Sequence, residues 1–323
     1  MIDRKEMVVL GNLPQRIHIK GTTNNNPILL FLHGGPGVCN RHTVMTTNDD
    51  LLDAFTIVAW DQRGSGGSYK NCDVNTLTID QMVSDANELV NWLCKEYKKE
   101  KIFIIGGSWG SELGTWLAYR HPEHLGAYVG FGQVVNGAEN ERLSYEFALE
   151  QAKAHNDEKS LEILNKIGQP VNGVYKGGFD GMMAQRNVMM KYGGYSQNEK
   201  KRSYFQAMVV PILASKEYSM SELIGYIKGY KFVLKKMWPE VGATNLAKTC
   251  TEFKIPMFIF DGKLDMNTPA SLVQDYFDLI KAPQKELIWF ENSGHNPLSD
   301  EPKRFKSLLR KYLLDIAAKE QGL

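Results

Sequence analysis

Short apolar runs closed by glycine, proline or polar residues recur along the first 132 positions of this 323-residue chain. Pro27–Leu32, Thr56–Trp60, Lys101–Ile105 and a run near residue 126 read as strands, and Thr78–Tyr97 reads as a helix. Strand, loop and helix in alternation predict a parallel sheet covered by helices. Ahead of them, Met7–Leu10 and Arg16–Lys20 flank Gly11-Asn-Leu-Pro14, a hairpin signature. The alternation resumes with strands at Lys254–Phe260 and Lys285–Phe290. It closes with Lys303–Ala318, where Phe305, Leu308, Leu309, Tyr312 and Leu313 keep helical spacing.

Between Phe131 and Lys254 the alternation stops. A plain crossover needs about a dozen residues or somewhat more, so this stretch must hold an extra unit. It shows helical periodicity, breaks at Gly168-Gln-Pro170, Gly177-Gly178 and Gly193-Gly194, and no clear strand. The expected organisation is a core of residues 1–135 and 248–323 carrying a helical cap of residues 136–247 over the active site. The cap is rich in Met and aromatic residues: Phe179, Met182, Met183, Met189, Met190, Tyr192, Tyr204, Phe205 and Met208. These read mainly as its own packing, with some left to line a small apolar pocket.

Chemistry sits at the strand ends. Gly106-Gly-Ser108-Trp-Gly110 follows one strand and opens a helix at Ser111–Arg120. A Gly-x-Ser-x-Gly turn in that context holds a serine hydroxyl above the sheet in strained backbone angles, beside the N–H of the next residue, Trp109. Ser108 is therefore the candidate nucleophile. His33-Gly-Gly-Pro-Gly37 follows another strand, and its glycines offer unobstructed N–H groups. Gly35 is the expected second oxyanion donor, with Gly34 the alternative.

A serine nucleophile needs a base and an acidic orienter, which in the α/β-hydrolase plan come later in the chain, acid before histidine. His121, His124, His155 and His295 follow Ser108. His121 and His124 read as polar groups at a helix end beside Pro122, and His155 as part of a solvated turn. His295 lies on the loop leaving the last strand and is the expected base. Two aspartates compete for the acid. Asp261 ends a strand and suits holding the turn; Asp265 sits further out, where it can accept the imidazole N–H, and is preferred.

His33-Gly-Gly-Pro-Gly37, Asp61-Gln-Arg-Gly-Ser-Gly-Gly-Ser68, Gly106-Gly-Ser-Trp-Gly-Ser111, Gly262-Lys-Leu-Asp265 and Ser293-Gly-His295 together resemble the prolyl aminopeptidase (proline iminopeptidase) family of α/β-hydrolases. The resemblance implies a serine peptidase that removes an N-terminal residue, usually proline, from short peptides. It implies Ser108, Asp265 and His295 as its triad and Gly35 and Trp109 as its oxyanion hole. Asp61 and Arg63 match a motif of architectural character. One branch of the family has a glutamate after the triad aspartate that binds the substrate ammonium; here Met266 stands there. The family also places glutamates in the cap for that purpose. Glu240, in Met-Trp-Pro-Glu, is the expected counterpart, although a helix-start role after Pro239 suits it equally.

Composition adds bounds. With 43% hydrophobic and 23% charged residues, the chain can build a sizeable core. Its net charge of +1 gives no reason to expect nucleic acid or an anionic membrane as partner. Met1-Ile-Asp-Arg-Lys-Glu lacks an apolar leader, and no run of 18 apolar residues occurs. Cys39, Cys72, Cys94 and Cys250 are scattered without metal-ligand spacing, which suits a reduced, cytoplasmic protein with neither metal nor cofactor. The oligomeric state is not legible. Three functions stay open: an aminopeptidase, a carboxylesterase or amidase on small acyl substrates, and a hydrolase fold kept as a binding protein. Epoxide hydrolase and dehalogenase chemistry needs a carboxylate where this chain has Ser108.

Overall fold

The computed structural model describes residues 1–196, 210–212 and 215–320; Tyr204, Phe205 and Met208 lie outside them. Eight strands form one sheet: β1 (Ile2–Leu10), β2 (Leu13–Gly21), β3 (Ile28–Leu32), β4 (Thr56–Trp60), β5 (Ile102–Gly107), β6 (Leu125–Phe131), β7 (Met257–Gly262) and β8 (Lys285–Phe290). Their order is β1-β2-β4-β3-β5-β6-β7-β8, with β1 and β2 antiparallel to their neighbours and the rest parallel. The first hairpin is longer than expected. Its turn is the two-residue Gly11-Asn12, both at positive φ, the geometry that matches strand twist. The strand expected at Lys254 begins at Met257, just after Pro256, which has no N–H to give to a ladder.

The central strands β3, β4 and β5 are buried along their whole length, as strands covered on both faces must be. One face packs on α2 (Ile79–Tyr97) and α3 (Trp109–Arg120), which follow α1 (Arg41–Thr47). Phe305, Leu309 and Leu313 of the closing helix (Pro302–Glu320) are buried with the other face. Among the described residues, no helix is long and apolar enough to cross a membrane.

Between β6 and β7 the described chain is helical: α4 (Gly137–Ala154), α5 (Glu158–Ile167), α6 (Phe179–Lys191), α7 (Met220–Ala243) and α8 (Leu246–Thr249). Tyr145, Leu164, Tyr175, Met182, Met189, Met190 and Tyr230 form a separate buried cluster there, with Phe179, Met183, Tyr192 and Met266 packed on it. The excursion leaves and rejoins the core at one point. Asn136 and Asn245 form an antiparallel bridge, Gly137 N–H donates to Thr244 O at 2.9 Å, and Leu246 N–H donates to Val135 O at 2.8 Å.

Candidate active site

Ser108 joins β5 to α3 at φ +57° and ψ −127°, a backbone state that L residues rarely adopt. The turn is possible because its neighbours have no side chains. A Cβ on Gly106 would lie 2.1 Å from the carbonyl oxygen of Gly110, and one on Gly110 would lie 2.0 Å from that of Leu32. Ser108 N–H donates to Phe131 O at the end of β6 (3.0 Å), fixing the turn to the sheet edge. The His33–Gly37 loop runs alongside. A Cβ on Gly34 would sit 3.2 Å from that of Ser108, and Gly35 holds φ +116°. The backbone N–H groups of Gly35 and Trp109 have no hydrogen-bond partner among the described residues.

Loop and elbow are tied together by His33 and Gln62. Gln62 N–H donates to His33 Nε2 (3.0 Å), so the imidazole carries its proton on Nδ1, which donates to Gly34 O (2.9 Å). Burial lowers the His33 pKa to about 4, so the ring is neutral at neutral pH, as this arrangement requires. Gln62 Nε2 donates to His33 O (3.1 Å), and Gln62 Oε1 accepts from the Trp109 indole (2.9 Å).

On the far side of the elbow, His295 Nδ1 donates to Asp265 Oδ2 at 2.8 Å, and both residues are buried. Asp265 also accepts from Asn267 N–H (2.7 Å), Thr268 N–H (3.0 Å) and the Thr268 hydroxyl (2.6 Å), which aim it. Asp261 does different work. It accepts from Gly132 N–H (2.9 Å), Gln133 N–H (3.0 Å) and Gly262 N–H (2.9 Å), tying the end of β6 to β7. Burial and then the Asp265 charge push its pKa up to about 7. His295 Nε2 accepts from the Asn267 amide at 3.1 Å, and no hydrogen bond joins it to Ser108.

His124 and His155 stand apart, donating to Glu100 O and Gln151 O at 2.8 Å each. Asp61 and Arg63 are architectural. Asp61 accepts from Gly67 N–H (2.9 Å) beside Arg41, while Arg63 holds Asp85 (2.8 and 2.9 Å) and the carbonyls of Leu10 and Gly11.

Two cavities share Ser108 and Gly35. The smaller, about 30 Å³, is lined also by Trp109, Asn140, Glu141 and Asn267. The larger, about 290 Å³, is lined also by Gly34, Phe131, Tyr195, Tyr226 and His295. Glu240 reaches neither, which corrects the placement expected from sequence. It is exposed, and its carboxylate accepts from Ile79 N–H (3.1 Å) at the start of α2, where the helix dipole favours it. Three other acids of the stretch are also engaged elsewhere. Glu146 pairs with Arg142 on the surface, Glu217 binds His18 and Lys5, and Glu222 caps α7 while pairing with Arg16.

The acid that shares a cavity with Ser108 is Glu141, which the sequence reading missed. It is buried on the first turns of α4. Its Oε1 pairs with Arg186, and its Oε2 has no partner among the described residues. Asn140 Oδ1 and Asn267 Oδ1 are likewise buried and unpartnered among the described residues. Nothing in Gly137-Ala-Glu-Asn-Glu-Arg142 separates Glu141 from Glu139, which pairs with Arg142 at the surface. Only the packing of α4 does.

A family model described as the alpha/beta hydrolase fold matches residues 27–170. The probable aminopeptidase YbaC of Bacillus subtilis is 30% identical over 304 residues, 94% of each chain. The chain belongs to the α/β-hydrolase family. Its resemblance to proline iminopeptidases extends to named relatives: that of Arabidopsis thaliana is 24% identical over 291 residues, covering 87% of this chain and 71% of its own. The crystal structure of the Mycobacterium smegmatis proline iminopeptidase superposes with a TM-score of 0.67 over 98% of both chains at 17% identity, a likeness of fold.

Proposed function

We propose that this α/β-hydrolase is a serine aminopeptidase that removes a prolyl or other small apolar N-terminal residue from short peptides. Ser108 Oγ attacks the first carbonyl carbon while His295 Nε2 takes its proton, and Asp265 steadies the resulting imidazolium. The N–H groups of Gly35 and Trp109 receive the oxyanion. His295 then protonates the leaving amine, the shortened peptide departs, and water attacks the Ser108 ester to release the amino acid and restore the hydroxyl. The small cavity takes the ammonium end of the substrate, and the large one, which His295 also lines, takes the rest.

The observation that carries this reading is Glu141 Oε2, a buried carboxylate oxygen without a partner among the described residues, in the cavity that Ser108 lines. Such an atom is costly unless something pairs with it, and an ammonium group fits it by charge and by donor count. Asn140 Oδ1 and Asn267 Oδ1 supply acceptors for the remaining N–H bonds, two on a primary ammonium and one on a prolyl one. The relatives named as aminopeptidases support the same class.

The test compares alanyl- and prolyl-2-naphthylamide with p-nitrophenyl acetate, which has no ammonium. Glu141→Gln should lower kcat/KM about 10- to 100-fold on the aminoacyl substrates, mainly through KM, and spare the acetate. Equal loss on both would make Glu141 structural. Good turnover of the acetate with none of either naphthylamide by the wild-type protein would assign the site to ester or small-amide hydrolysis.

A further inference from the structure

The lone pair that must receive the Ser108 proton is occupied. His295 Nδ1 donates to Asp265, which leaves Nε2 as the acceptor, and the amide of Asn267 donates to it at 3.1 Å. No bond from Ser108 reaches the ring. The other end of the same amide, Asn267 Oδ1, is buried without a partner among the described residues, and Asn267 lines the small cavity together with Glu141 and Asn140. A single planar group therefore touches the base with one end and faces the proposed ammonium position with the other.

We propose that Asn267 is a positioning residue that makes activation of the base depend on the substrate's amino group. Before binding, its N–H₂ blocks His295 Nε2. When an ammonium group donates to Oδ1, the amide is drawn toward Glu141 and its hydrogen bond to the ring is given up. His295 Nε2 is then free for the Ser108 hydroxyl. Compounds that carry an acyl group but no amine leave the amide where it is and meet a base already engaged. The backbone around Asn267 does not need the side chain, because its N–H, not its amide, helps aim Asp265.

This rests on the aminopeptidase reading for the identity of the trigger, and the experiment separates the two. Asn267→Ala and Asn267→Ser are compared with wild type for labelling by a fluorophosphonate, hydrolysis of p-nitrophenyl acetate and hydrolysis of alanyl-2-naphthylamide. One released hydrogen bond corresponds to roughly a 3- to 10-fold change. Both variants should therefore label and cleave the acetate about 3- to 10-fold faster, while kcat/KM on the naphthylamide falls. A merely structural residue would lower all three. In wild-type protein, methylammonium should speed fluorophosphonate labelling by a similar factor, a measurement that needs no variant to fold. Labelling that is unchanged or slower in the variants, or unmoved by methylammonium, overturns the proposal. Faster labelling of the variants by a protein that cleaves no aminoacyl substrate would uphold the block on the base and defeat the aminopeptidase reading alone.

Discussion

The Gln62 carboxamide oxygen accepts the indole N–H of Trp109 at 2.9 Å. Its amide nitrogen meanwhile donates to His33 O at 3.1 Å. One buried side chain thus sets the spacing between the two backbone segments whose N–H groups flank Ser108.

Replacing Gln62 with Leu should therefore disturb turnover more than binding. The indole N–H would be buried unpaired, at a cost of about 1–3 kcal/mol, and the two donors would drift relative to each other. The expected result is a fall in kcat of at least about tenfold on p-nitrophenyl acetate with a smaller change in KM. Full turnover in the Leu variant would show that the spacing is set elsewhere.

The two aspartates at the end of β7 should separate cleanly. Asp265→Asn removes the acceptor that orients the His295 imidazole, and turnover should drop by orders of magnitude, roughly 10⁴-fold in an equivalent serine-protease change, with the fold kept. Asp261→Asn instead weakens backbone ties between β6 and β7, so its main effect should be a lower Tm. Circular dichroism melts alongside kcat decide the matter, and the reverse pattern would exchange the two roles.

Glu112 on α3 is fully buried, and neither carboxylate oxygen has a hydrogen-bond partner within bonding distance among the described residues. Burial pushes its pKa up to about 8. The unfolded chain releases this proton near pH 4.5, while the folded protein holds it until about pH 8. Its contribution to stability therefore falls as pH rises through that window. Glu112→Gln should remove the effect and stabilise the protein by about 2–5 kcal/mol at pH 8, and by little at pH 4.5. Denaturant melts at the two pH values measure the difference; an equal change at both would refute it.

Ser108 at φ +57° predicts that Gly and Ala substitutions diverge in stability although both end activity. Glycine adopts that backbone state without a Cβ penalty, which is typically about 1–3 kcal/mol for such outliers. The Gly variant should melt at a higher temperature than the Ala variant. An Ala variant as stable as the Gly variant would mean the elbow stores no such strain.

Most of the scaffold was legible because buried parallel strands leave continuous apolar runs and the elbow leaves a glycine-flanked serine. β8 was read to the residue, whereas the first hairpin was read short, since Asp3–Glu6 is a run of four charged residues with no apolar alternation. The binding side was less legible. Glu240 looked like the ammonium partner because it follows a proline, yet it lies exposed inside α7 with its carboxylate on the start of α2. Glu141 carries no mark in the sequence that sets it apart from Glu139 two positions earlier. Whether a helical acid faces inward depends on how the helices between β6 and β7 pack on one another, and local periodicity does not encode that. Asn267 was in plain view beside Asp265, but its role depends on which His295 nitrogen it meets.

The bridge between Asn136 and Asn245 has a consequence for how this architecture can change. For the spacing of β6 and β7, the long helical excursion is equivalent to a tight connection, because the chain returns to the spot it left. Changes of length far from that neck leave β6 and β7 in register, while the excursion keeps its own ties to the core, such as Glu222 to Arg16 and Glu240 to Ile79. Strand register and the length of the excursion are thus separable: the first can stay fixed while the second changes.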